Sequence, residues 1–223
     1  MSDRGPSDRA IETGDAIADE ILAGLEPFRF SEAADPAGLS ECFRLRYRAA
    51  LEFDPATAVR FPRGEEQDEF DPHAVQIIGR DETTPIATCR IVLPVAGQLL
   101  PMERAFGLAL STTSPIVEWG RVVVDPAYRG DGHSIFMGLA AQGWRSMRER
   151  GYTTAIGATP PRLVALFEAL GFAVTALGPP RSYWGEPRVP ILCDASPSVH
   201  GLNARRRAGD RSTAPDPEPP RTD

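Results

Sequence analysis

Residues 116–140, IVEWGRVVVDPAYRGDGHSIFMGLA, run from an apolar strand through a polar turn into an amphipathic helical pattern. The strand carries a carboxylate and a guanidinium, Glu118 and Arg121, three positions apart. On a regular strand such residues point to opposite faces, so the pair cooperates only if a bulge restores parity or if each serves its own pocket. The bulge is the preferred reading, because it also splays the ladder and frees backbone groups for an extended ligand. The plain alternative is a strand-end ion pair on a solvated face. Next comes Arg129-Gly130-Asp131-Gly132-His133-Ser134, where glycines let N–H groups converge at a helix start whose dipole favours an anion. In the helix, Ile135, Phe136, Leu139, Ala140, Trp144 and Met147 share one broad face, most simply a core face.

Working outward, the spacing predicts a helix over residues 134–150 and a strand over 152–157. A second helix spans 161–170, closed by Gly171 in the left-handed position. Strands at 172–177 and 188–193 complete this half. Upstream, AVQIIGR and IATCRIVLP read as a hairpin around the polar turn 81–85. Asp35-Pro36 caps a helix carrying Leu39, Phe43, Arg46 and Tyr47, and residues 54–71, with RGEEQDEFD, form a long loop. A hairpin followed by alternating helices and strands implies an α/β (α+β) mixed sheet with helices on both faces. Residues 10–199 are expected to form one domain that begins with a helix over 10–25. Residues 1–9 are expected to be loose, as is a Pro- and Arg-rich tail over 200–223.

Composition narrows the chemistry. The chain has 223 residues and a formal charge of −7, which disfavours a broad nucleic-acid surface. All its cations are arginines, so lysine Schiff-base and P-loop chemistry drop out. The three cysteines and three histidines are dispersed, without metal-ligand or disulfide spacing. No apolar run approaches the ~20 residues of a membrane span, and the polar N-terminus lacks secretory character. The expectation is a cytoplasmic protein without a metal.

The strand, Arg-x-x-Gly-x-Ser turn, helix, strand and later PPRLVALFEALGF together resemble the GNAT acyltransferase superfamily. A narrower likeness lies in EEQDEFD, TCRIVLP and EWGR, which are similar to blocks of the acyl-homoserine-lactone synthases and of their N-acyl amino acid synthase and exosortase-associated relatives. The resemblance implies a GNAT-like sheet splayed at a bulge, and an N-acyltransferase moving an acyl group, expected to be fatty, from a pantetheine thioester to a small amine. It places substrate-binding roles on Arg46, Asp68, Asp71 and Arg90, and catalytic ones on Glu118 and Arg121. It puts the pantetheine phosphates on Arg129, Gly130, Gly132 and Ser134. The family usually carries an aromatic shortly after the first Arg and a Trp in the following loop. Here stand Ala49-Ala50 and no Trp before Trp119, so a homoserine lactone product is not implied. GPPRSYWGEPRVP is closer to the N-acyl amino acid and exosortase-associated relatives.

On that reading Glu118 is the base and the N–H groups of Val122, Val123 and Val124 hold the thioester oxygen. Arg90 or Arg121 grips a substrate carboxylate. The donor is acyl-CoA or an acyl carrier protein, for which Arg145, Arg148 and Arg150 offer a docking patch. The acceptor is an amino acid or S-adenosylmethionine. The alternatives are an ordinary GNAT acetyltransferase using acetyl-CoA, and a non-catalytic module that binds an acyl ligand.

Overall fold

The alternation in residues 74–92 folds as expected into an antiparallel hairpin, β2 (Ala74–Asp81) and β3 (Thr84–Val92). The structure, a computed structural model, describes residues 6–111, 114–129 and 133–212. Gly130 and Gly132, assigned above to phosphate, lie outside the described residues. Preceding the hairpin are α1 (Pro6–Ala23), β1 (Phe28–Ala33), α2 (Pro36–Phe53) and α3 (Thr57–Arg60). After it come α4 (Pro101–Phe106), β4 (Ile116–Val124), α5 (Ser134–Glu149), β5 (Thr154–Thr159), α6 (Pro161–Ala169) and β6 (Val174–Ala176). The chain continues through β7 (Arg181–Tyr183), β8 (Glu186–Asp194) and α7 (Ala195–Ser212). The sheet runs β1-β2-β3-β4-β5-β8-β6, and β7 joins β8 beyond β6 on the same edge.

Local chemistry sets several boundaries. Asp35 accepts from the Gly38 N–H at 2.9 Å and Pro36 takes the first turn of α2, so the helix starts where its orphan donors are served. Gly171, at φ 98°, ends α6. One face of the sheet packs Ile77, Ile91 and Val117 against Ile135, Leu139 and Met147 of α5. On the other face, Val92, Ile116 and Ile156 pack with Met102 and Phe106 of α4, while Cys42 and Leu39 of α2 cover Ile78.

Two corrections concern the ends. Helix α7 occupies residues 200–212, where the sequence suggests a loose tail, and its buried Val199 and Ser198 tether it to the domain. Helix α1 begins at Pro6, inside the span expected to be loose.

The middle of the sheet is irregular in two linked ways. Val123 pairs with Thr88 but Gly120 pairs with Arg90, so Arg121 and Val122 together oppose Cys89. This is the bulge that the sequence suggests, and Arg121 sits in it at φ 54°. A left-handed non-glycine residue costs about 1–2 kcal/mol, which the contacts of its side chain must offset. The parallel ladder between β4 and β5 is short: Ile116↔Thr154, Val117↔Ala155 and Glu118↔Ile156. Beyond Glu118, β4 stays with β3 while β5 stays with β8, and the two diverge. Gly157 stands at the fork, where a Cβ would come within 2.6 Å of the Trp119 carbonyl oxygen. A side chain there would force the fork apart, so glycine is required by close approach.

Candidate active site

The divergence of β4 and β5 opens a groove of about 510 Å³. Residues 120–124 form one wall, residues 156–160 the other, and Leu163, Leu166 and Phe167 of α6 a third. Arg129 and His133 lie at its rim, beside the start of α5. Phe136 stacks on Phe167 at 5.4 Å, with Phe172 edge-on to both, so aromatic rings line one end. Val122, Val123 and Val124, to which the thioester oxygen was assigned, line the groove. Arg129 is held across the groove mouth: its Nε donates to the Val124 carbonyl at 2.9 Å and its terminal nitrogens grip Glu52 at 3.0 Å each. Ser134 opens α5.

The bulge rotates Arg121 onto the face that also carries Glu118, Gly120 and Arg90. There the structure assembles the expected charged residues into one lattice. Arg46 donates from Nε to Glu66 and from Nη1 and Nη2 to Asp71 at 2.7 and 3.1 Å. Arg90 reaches Asp68 at 2.5 Å and Asp71 at 3.0 Å. Arg121 donates to Asp68 at 2.9 Å and to Glu66 at 3.2 Å. Gln76 adds an N–H to Asp71 at 2.9 Å. Three guanidiniums therefore face three carboxylates, and the charges cancel. Burial would raise the Asp71 pKa, but Arg46 and then Arg90 outweigh it and hold the carboxyl at about 2.

Two members escaped the sequence reading. Glu66 is 1% exposed and bridges Arg46 and Arg121, yet RGEEQDEFD offers several acids without marking which one turns inward. Trp184 lies over the Arg121 guanidinium at 3.7 Å. It occupies the tip of the β7–β8 hairpin, where Trp184 and Gly185 both have positive φ. Beside it Tyr183 meets Phe106 of α4 edge-on at 5.7 Å. The hairpin thus spans the fork from the β8 side to the β4 side. The signal for it was present in the SYWGE stretch, where the two-residue turn Trp184-Gly185 follows Tyr183.

Glu118 is different from its neighbours. It is 4% exposed, accepts one hydrogen bond from the Met102 N–H to Oε2 at 2.6 Å, and has no ion pair among the described residues. Burial drives its pKa up to about 7, against weaker opposing effects of the Met102 N–H, Arg90 and Arg121. A Cβ built on Gly120, a residue lining the groove, would lie 3.8 Å from Glu118 Oε1, so the carboxyl stands directly behind the groove wall. The arrangement can therefore take a proton near neutral pH from a ligand at the fork. The thiols offer no rival nucleophile, since burial pushes Cys42, Cys89 and Cys193 upward.

Two expectations need revision. Arg90 and Arg121 have their charges matched by the chain's own acids, so the lattice holds the loop over residues 61–73 against the sheet rather than presenting a spare cation. The arginines offered to an acidic carrier are also engaged: Arg145 with Asp19 at 3.6 Å, Arg148 with Asp15 at 3.3 Å, and Arg150 with Glu32 at 2.7 Å. No helix among the described residues is long and apolar enough to cross a membrane.

The family model described as N-acyl amino acid synthase FeeM matches residues 41–193. Among solved structures, a CoA-dependent acyl-homoserine lactone synthase, BjaI, with SAM and isopentyl-CoA is similar at 22% identity and TM-score 0.60, covering 75% of this chain and 81% of that one. FeeM, an N-acyl amino acid synthase from uncultured soil microbes, is similar at 15% identity and TM-score 0.60, covering 81% and 97%. TofI, solved in a ternary complex with an inhibitor and MTA, is similar at 23% identity and TM-score 0.59, covering 79% and 96%. No curated protein matches the chain.

Proposed function

The chain belongs to the FeeM family of N-acyl amino acid synthases and is an acyltransferase of the GNAT fold; from this we propose that it moves an acyl group from acyl-CoA to the α-amine of an amino acid. The observation that carries the reading is the Glu118 carboxyl, buried without an ion pair among the described residues, beside the open edge at Gly120. The thioester lies in the fork, its pantetheine arm along residues 120–124. The acceptor ammonium first gives a proton to Glu118, and the freed amine then attacks the thioester carbon. A C–N bond forms and negative charge collects on the carbonyl oxygen, where N–H groups on the open edge of β4 stabilise it. The C–S bond then breaks. The second nitrogen proton passes to the departing sulfur, yielding the amide and free thiol, while Glu118 returns its proton to solvent.

Arg46, Glu66, Asp68, Asp71, Arg90 and Arg121 fix the loop and the bulge that frame this site. Arg129 and Ser134 flank the phosphate end. CoA is favoured over a carrier protein because the arginines a carrier would use already pair within the chain.

The test incubates the protein with dodecanoyl-CoA and each common amino acid, reading thiol release and the acylated product by mass spectrometry. Product with at least one amino acid supports the reading. Product only with S-adenosylmethionine, or only from an acyl carrier protein, contradicts it.

A further inference from the structure

The family match stops at residue 193 and begins at 41, leaving α1 and α7 outside it. Both helices nevertheless pack onto the domain at one place. Asp15 of α1 accepts from the Trp144 indole N–H at 2.8 Å and pairs with Arg148 of α5, while Arg206 of α7 pairs with Glu20 of α1. Gly14 is where the two helices and α5 converge: a Cβ would meet Val199 at 2.8 Å and Trp144 at 3.1 Å. The small residue lets the backbone sit this close.

Beneath this pair lies an almost wholly apolar chamber of about 80 Å³, walled by Ile17, Ala18, Ile21, Trp144, Val199 and Leu202. It shares four wall residues with the catalytic groove: Trp119, Ala155, Phe172 and Cys193. A dry apolar space separated from the thioester groove by only these residues matches an alkyl chain and little else. We propose that the chamber receives the far end of the acyl chain, entering between Trp119 and Phe172, and that α1 and α7 set the chain length accepted. The proposal rests on the acyl-CoA reading above. At about 80 Å³ the chamber suits only a short terminal segment of the chain.

Dodecanoyl-CoA brominated at the terminal carbon tests the placement directly, because bromine quenches an indole that it touches. Emission should fall relative to unbrominated dodecanoyl-CoA, and the Trp144→Phe variant should lose that component. Binding without any Trp144 component overturns the chamber, whether or not turnover occurs. Turnover that is absent while Trp144 is quenched instead sinks the enzymatic reading and leaves the chamber standing. A second variant, Ala18→Phe, fills the space. It should lower the dodecanoyl to hexanoyl ratio of kcat/KM roughly tenfold, the factor that about 1.4 kcal/mol supplies. An unchanged ratio in a protein that melts as a single folded species contradicts the proposal.

Discussion

Two buried groups of charge sit on the same face of the sheet and behave in opposite ways. In the lattice of Arg46, Glu66, Asp68, Asp71, Arg90 and Arg121, each carboxylate meets guanidiniums, and Asp71 is held ionised down to about pH 2. Glu118 is buried more deeply than Asp71 and has only one backbone donor, so its carboxyl rises to about 7. Burial is common to both; pairing decides which group titrates near neutral pH. The lattice is thus suited to hold a loop and a strained bulge in place, and the lone carboxyl to exchange a proton.

The comparison is broken most severely at Glu118. Glu118→Gln removes the exchangeable site but keeps an oxygen for the Met102 N–H, and should cost about 10²–10⁴-fold in kcat with melting temperature retained. Retained turnover would mean that solvent alone takes the proton. In stability the sign is opposite to that of the lattice. The folded pKa of Glu118 lies above its unfolded value of 4.5, so its protonated form stabilises the fold at low pH, and that stabilisation is lost as pH rises from 4.5 through 7. Glu118→Gln should flatten this decline in chemical denaturation measured at pH 5 and pH 8.

Arg46→Ala comes next. Removing the guanidinium leaves buried Glu66 with Arg121 alone and half-buried Asp71 with Arg90 alone, and should cost about 3 kcal/mol by urea denaturation, with the loss largest above pH 4. Asp71 gives the mirror image: its depressed pKa supplies stability above its unfolded value of 3.8 that vanishes as pH falls towards 2. Trp184→Ala should have the smallest effect, about 1 kcal/mol or less from the lost cation–π contact. It leaves Arg121 inside the lattice, so a modest rise in KM with the fold intact is the expected result.

The sequence made the scaffold legible where pattern and chemistry coincide. Alternation over residues 74–92 specifies the hairpin, Asp35-Pro36 specifies the start of α2, and the three-residue separation of Glu118 and Arg121 points to the bulge found at Arg121 and Val122. Strand β1 was not visible because FRFSEA is short and half-exposed at the sheet edge. Helix α4 escaped because six residues hold too few turns to show a period. Helix α7 escaped because its arginine-rich second half conceals the buried Ser198 and Val199 that anchor its start. At the site, Glu66 could not be told from its acidic neighbours, since only the return of the loop, with the Glu66 N–H on the Phe43 carbonyl at 3.1 Å, turns that carboxylate inward. The resemblance located Arg46, Asp68, Asp71 and Arg90 together. It could not show that their charges cancel, because cancellation depends on a partner from elsewhere in the loop.

The sharpest test follows the carboxyl carbons by carbon-13 NMR through a pH titration of wild type and Glu118→Gln. The account predicts one side-chain carboxyl that titrates near pH 7 in the wild type and is missing from the variant, with the Asp71 signal still ionised at pH 3. If no carboxyl titrates above pH 5, or if the neutral-range signal survives Glu118→Gln, the contrast between a paired lattice and a lone proton acceptor is wrong.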